Sequence, residues 1–163
     1  MSKERLRQWI ALAANAGTIV GLLMVIVQLQ QNRTLMRAQV RHELASTIVE
    51  LLNSPANNPQ LASVLRRGGL GEQLSEDERF QFRLRSNALF RYWEDVHYQY
   101  RLGLYDEVEY SRQKAAWKAT FASSTGLVDY WAEVRTLYSP HFASEIDGLL
   151  PPPGAKKAVP ARP

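Results

Sequence analysis

The sequence predicts an all-α protein, with an N-terminal transmembrane helix continuing into an antiparallel helical bundle. Three observations lead there. Residues 9–29, WIALAANAGTIVGLLMVIVQL, hold no charged side chain. From position 30 to 53 there is neither Pro nor Gly, and apolar residues recur at steps of three and four. Beyond that, apolar stretches of helical period are separated by Ser, Asn, Pro and Gly signals, with no strand-like alternation.

At about 1.5 Å per residue, the stretch 9–29 spans roughly 30 Å, the thickness of a bilayer core. Trp9 stands at one end, where an indole favours the interface. A cleaved signal peptide fits less well. The apolar run is too long, and no small-x-small site follows it. Ala13, Gly17 and Gly21 recur every four residues and so share one helix face. Small residues at that spacing let two membrane helices approach closely, which marks a candidate transmembrane interface.

The next segment, with Leu35, Met36, Val40, Leu44, Ile48, Leu51 and Leu52, extends the same helix out of the bilayer. Gln30, Gln31 and Asn32 mark the exit, and the stretch from Ser54 to Pro59 ends it. A short helix is expected over 59–67, closed by Gly68-Gly69. Ser75 with Glu78 three residues later forms a capping box and opens a helix over 76–102. That helix is apolar over much of its circumference, which predicts a central position. Asp106, Glu107 and Glu109 open a helix over 106–122, placing negative charge at its N-terminus. Helices follow at 127–138 and, with Ser139 as cap and Pro140 at its first position, to about 149. Residues 1–8 are a basic flank, 30–150 a helical soluble domain, and 151–163 a disordered, basic, Pro-rich tail.

Charge agrees with this division. Residues 1–41 carry a net +5, residues 42–150 a net −4, and residues 151–163 a net +3. A nucleic-acid-binding domain would carry positive charge on its body, so no nucleic-acid partner is expected. The basic residues instead bracket the apolar segment, where anionic head groups would add on the order of 1 kcal/mol each. The expected partners are the lipid bilayer and either a second copy or a larger membrane complex.

No cysteine is present, which excludes disulfides, thiolate metal sites and a cysteine nucleophile. Asn87, Arg91, Glu94, His97 and Arg101 follow at steps of three or four and form a polar stripe on an otherwise aromatic helix. Buried, such a stripe demands partners, either from another helix or from a ligand in a pocket beside Glu94 and His97. Glu94 and His97 also have the E-x-x-H spacing of carboxylate-bridged metal bundles. The second half-site is missing: Gln39 precedes His42 by three and Tyr138 precedes His141 by three. Neither a metal nor another cofactor is expected. Arg66-Arg67-Gly68-Gly69 lacks the strand and lysine of a phosphate loop. With no nucleophile motif either, no catalytic activity is expected. The aromatic residues Phe90, Tyr92, Trp93, Tyr98, Tyr100, Trp117, Phe121, Tyr130 and Trp131 are assigned to the core.

Four stretches carry a resemblance: Val27-Gln28-Leu29-Gln30-Gln31-Asn32-Arg33-Thr34, Leu74-Ser75-Glu76-Asp77-Glu78-Arg79-Phe80, the run YWEDVHYQYRLG from Tyr92 to Gly103, and Tyr138-Ser139-Pro140-His141-Phe142. With these, the chain over about residues 10–150 resembles a group of small, uncharacterised single-pass membrane proteins of bacteria. The resemblance implies a bacterial envelope and the same all-α body; the expected location is the inner membrane, with the soluble domain on the cytoplasmic side, an orientation that rests partly on the resemblance. It implies no activity, cofactor or catalytic residue. The expected role is that of a membrane-anchored interaction or assembly protein, with a ligand-sensing bundle as the alternative.

Overall fold

The computed structural model describes residues 3–152, without the side chains of Leu6, Ile10, Ala11, Ala13 and Ala14. The described residues form helices and their connections, with no strand among them. The all-α expectation holds. The chain divides into two compact units, Met1–Gln39 and Val40–Pro163. The expected tail falls almost wholly on residues 153–163, outside the described residues.

Helix α1 runs over Lys3–Ala56. It ends within the expected stretch from Ser54 to Pro59. Pro55 stands in the last turn, where its missing N–H removes one ladder bond, and the Asn57 N–H still donates to the Asn53 carbonyl at 2.9 Å. Among the described residues, no helix is long and apolar enough to cross a membrane. The segment 9–29 is only partly among them, because Ile10, Ala11, Ala13 and Ala14 belong to it.

In the second unit, α2 spans Pro59–Gly69, with the Asn58 side chain accepting from the Leu61 N–H. The sequence placed Gly68-Gly69 as its terminator, but both lie inside the helix. Gly71, at φ +74°, is the residue that turns the chain. Gly68 serves packing instead: a Cβ there would sit 2.4 Å from the Phe82 ring.

Helix α3, Glu76–Arg101, begins with the expected capping box. The Glu78 N–H donates to Ser75 Oγ at 3.3 Å, and the Ser75 N–H donates to Glu78 Oε2 at 3.0 Å. Gly103, at φ +70°, turns the chain after it. Helix α4 covers Glu107–Ser123, with Asp106 Oδ1 accepting from the N–H groups of Val108 and Glu109. Helix α5 covers Thr125–Val134 and ends in a 3-10 turn, Arg135–Leu137, so the single helix expected over 127–138 is divided. Helix α6 covers Pro140–Asp147.

α3 is the central element, touching α2, α4, α5 and α6. Phe90 is fully buried and meets the rings of Trp93, Phe121, Tyr130, Trp131 and Tyr138 at centroid distances from 5.2 to 6.2 Å. Tyr98 departs from the expected core and is 54% exposed, with Phe80, Leu84 and Leu102 exposed as well. At about 100° per residue these four share the side of α3 opposite Trp93. One apolar face of the helix is buried, and these four stand on the exposed side among Arg91 and Asp95.

Candidate functional site

The polar stripe of α3 does not form one cluster. It divides into an anchor for the chain between α5 and α6, and a buried histidine one turn further on.

The anchor uses Asn87, Arg91 and Glu94. Glu94 Oε1 accepts from the Ser139 N–H at 2.8 Å, and Oε2 accepts from Arg91 Nη1 at 2.7 Å. Arg91 Nη2 donates to the Leu137 carbonyl at 3.2 Å, and its guanidinium lies 4.3 Å from the centre of the Tyr138 ring. The Tyr138 hydroxyl donates to Asn87 Oδ1 at 2.7 Å. Three successive residues, Leu137, Tyr138 and Ser139, are thus held by three side chains of α3. The N–H groups that open a helix need acceptors. Ser139 precedes α6 but its side chain makes no cap bond, contrary to the sequence expectation. Glu94 approaches from another helix and takes the Ser139 N–H, adding negative charge at the start of α6. Burial raises the Glu94 pKa, but the Ser139 N–H and Arg91 outweigh it and hold the carboxyl below its ordinary value. Burial pushes the Tyr138 hydroxyl up to about 12.

His97 is buried. Its Nδ1 lies 2.7 Å from the Tyr110 hydroxyl, its ring packs on Tyr110 and Phe142, and Nε2 has no protein partner. Desolvation lowers its pKa most. Glu145 and Glu94 pull it up, while Arg101 and His141 push it down. Arg101, the last member of the stripe, is exposed. Glu94 and His97 have different partners, so their E-x-x-H spacing does not bring them to one point. Among the described residues, no group of three or more His, Asp or Glu side chains is placed to hold a metal ion. Arg67, part of the weak anion-loop candidate, pairs with Glu78.

Two open grooves of about 290 Å³ each lie elsewhere on this unit. One includes Gly71, Arg79, Phe82, Asp129 and Tyr130 in its lining. The other includes Arg41, Leu44, Tyr92, Tyr105 and Glu109. In the first unit, Gly17 and Gly21 are exposed, and a Cβ at either would meet nothing within 4 Å. The side chain of Ala13, the third member of that face, lies outside the described residues.

The residues that complete the anchor, Tyr138, Ser139 and the Leu137 carbonyl, were not legible as partners of the stripe. They stand 45 to 51 positions away from it, and no spacing rule reaches that far. Tyr110 had a usable signal, since it lies on the same side of α4 as Trp117 and Phe121. No family model, curated protein or solved structure matches the chain.

The two titrating groups act in separate pH windows. The folded state holds His97 below its ordinary value, so the unfolded chain binds the extra proton first. Stability is therefore expected to fall as pH drops through about 7 to 5. Glu94, also held low, contributes above its unfolded value, and that contribution is lost at more acidic pH as the carboxyl protonates. Melting temperatures measured against pH check both. His97→Gln should flatten the profile between about pH 7 and 5, and Glu94→Gln should flatten it only below about pH 5. A wild-type profile flat across both windows would contradict the two assignments.

Proposed function

We propose that this chain is a membrane-anchored helical assembly protein, without catalytic activity, that associates with itself or with a larger membrane complex. One observation carries the reading. Nine large apolar residues between Ile19 and Leu29 are each at least half exposed, and they surround α1 on all sides. In water, so much apolar surface on a single helix is unfavourable. A helix apolar all round is stable when protein or lipid covers it. The uninterrupted uncharged sequence of residues 9–29 has the length a bilayer requires.

The basic flanks and the resemblance to single-pass bacterial membrane proteins support an inner-membrane location, and the resemblance alone supports a cytoplasmic second unit. The antiparallel arrangement of the bundle belongs to the same reading, because its connections are short. The ligand-sensing alternative has less behind it, since both Glu94 oxygens already have protein partners.

Membrane fractionation tests the anchor. The full chain should stay in the membrane pellet after alkaline carbonate washing, and a variant with Leu22→Arg and Ile26→Arg should be released. Release of the unmodified chain would remove the anchor. The candidate interface at Ala13, Gly17 and Gly21 has its own test. Gly17→Leu with Gly21→Leu should reduce self-association in a membrane reporter assay at least tenfold, about 1.4 kcal/mol. Unchanged association would remove that face from the reading.

A further inference from the structure

We propose that the groove between α1, α3 and α4 binds a small monocarboxylic acid with an apolar body, its carboxylate held by Arg112 and the Tyr92 hydroxyl. The groove has a volume of about 290 Å³, just below the roughly 300–1,000 Å³ of small-molecule sites, so its occupant is small. It shares no residue with the region of Glu94 and His97. One part of its lining is apolar. Leu44, Ala45 and Ile48 bring that part from α1, where positions three and four apart share a face.

The rest of the lining is rich in hydrogen-bond donors. Tyr92 comes from α3, Tyr105 from the connection after it, and Arg112 and Gln113 from α4. Tyr92 is only 6% exposed, and none of the described residues hydrogen-bonds its hydroxyl. A buried hydroxyl that lines a groove and lacks a protein partner calls for one from outside. Burial, with smaller contributions from Tyr105 and Asp95, pushes that hydroxyl up to about 12, so at neutral pH it keeps its proton and can donate. Asp95 itself does not line the groove and accepts from Gln99 at 3.2 Å. Arg112 is exposed and, among the described residues, in no ion pair. Arg41 and Glu109 also line the groove and pair with each other at 2.9 Å. One positive charge is therefore left over, on a unit whose residues 42–150 carry a net −4. A single negative charge matches it, and a guanidinium can hold a carboxylate through two parallel hydrogen bonds. A phosphate dianion would bring its second charge against Glu109.

Phenylacetate serves as the probe, titrated with the purified full-length chain in mild detergent and followed by its own NMR signals. It should bind with a Kd of about 1 mM or tighter, and at least tenfold more tightly than phenylacetamide, which has the same shape without the charge. Arg112→Gln should weaken phenylacetate binding at least tenfold, and Tyr92→Phe at least threefold. Lys118→Gln, which removes an exposed charge further along α4, should leave it unchanged. Melting temperatures of the variants establish that each is folded. Equal binding of the amide overturns the carboxylate, and inorganic phosphate binding as tightly as phenylacetate overturns the apolar body. A phenylacetate Kd weaker than about 10 mM, or equal losses from Lys118→Gln and Arg112→Gln, overturns the site.

Discussion

Replacing Phe90 by alanine is expected to destabilise the second unit by about 3 to 5 kcal/mol. Phe90 has no solvent exposure and stands where α3, α4, α5 and the 3-10 turn converge. Its ring meets Trp93, Phe121, Tyr130, Trp131 and Tyr138. Removing it loses the transfer free energy of the ring and leaves a cavity. The surrounding indoles and phenols cannot collapse into that cavity without giving up contacts with one another. Trp131 is tied to Asp147 of α6 by a 3.0 Å bond from its Nε1, which limits its movement further. A domain of this size has a total stability of order 5 to 15 kcal/mol, so the variant should unfold at a much lower urea concentration. Tryptophan fluorescence follows the transition, since Trp93, Trp117 and Trp131 all lie in this core. A loss below about 1 kcal/mol would contradict the central place given to Phe90.

Gly126→Ala is expected to cost about 3 kcal/mol, the upper end of what overpacking does. A Cβ at Gly126 would stand 1.9 Å from the Gly68 carbonyl oxygen, so α5 and α2 touch backbone to backbone. A side chain in the way could rotate aside, but a helical carbonyl cannot, and the two helices must separate. Ser124 spans the same junction, donating from Oγ to the Gly69 carbonyl at 3.1 Å while accepting from the Leu127 N–H at 3.4 Å. Separation would therefore also pull on the cap of α5. Gly21→Ala is the control: a Cβ there meets nothing within 4 Å, and the urea midpoint of the second unit should not move. Equal midpoints for Gly126→Ala and the unmodified chain would show that the junction yields more than its geometry implies.

The two variants fall on different sides of what could be read from the chain. Phe90 was assigned to the core because aromatic residues at helical spacing bury together. Gly126 gave no signal, since a glycine that permits close approach looks the same in sequence as any other. The capping box of α3 was legible because a cap joins residues two or three apart, whereas Asp106 was read as first-turn charge and proves to be the cap of α4. Ser124 was not legible, because its hydroxyl serves one helix as cap and another as donor. Tyr98 was counted with the core on hydrophobicity, although its angular position on α3 sets it opposite Trp93. Weighing period above composition would have separated the two faces.

The sequence by itself determined the helical class, most helix starts, the polar stripe and the uncharged stretch of residues 9–29. Each depends on neighbours within a turn or two, where spacing translates directly into position. Tertiary structure alone decided what the stripe does. Glu94 lies three residues from both Arg91 and His97, yet it joins Arg91 and the distant Ser139 N–H, and His97 turns instead to Tyr110. Those choices depend on which helices meet and at what height. Burial of large aromatic side chains determines both, and that depends on the shape of the whole unit.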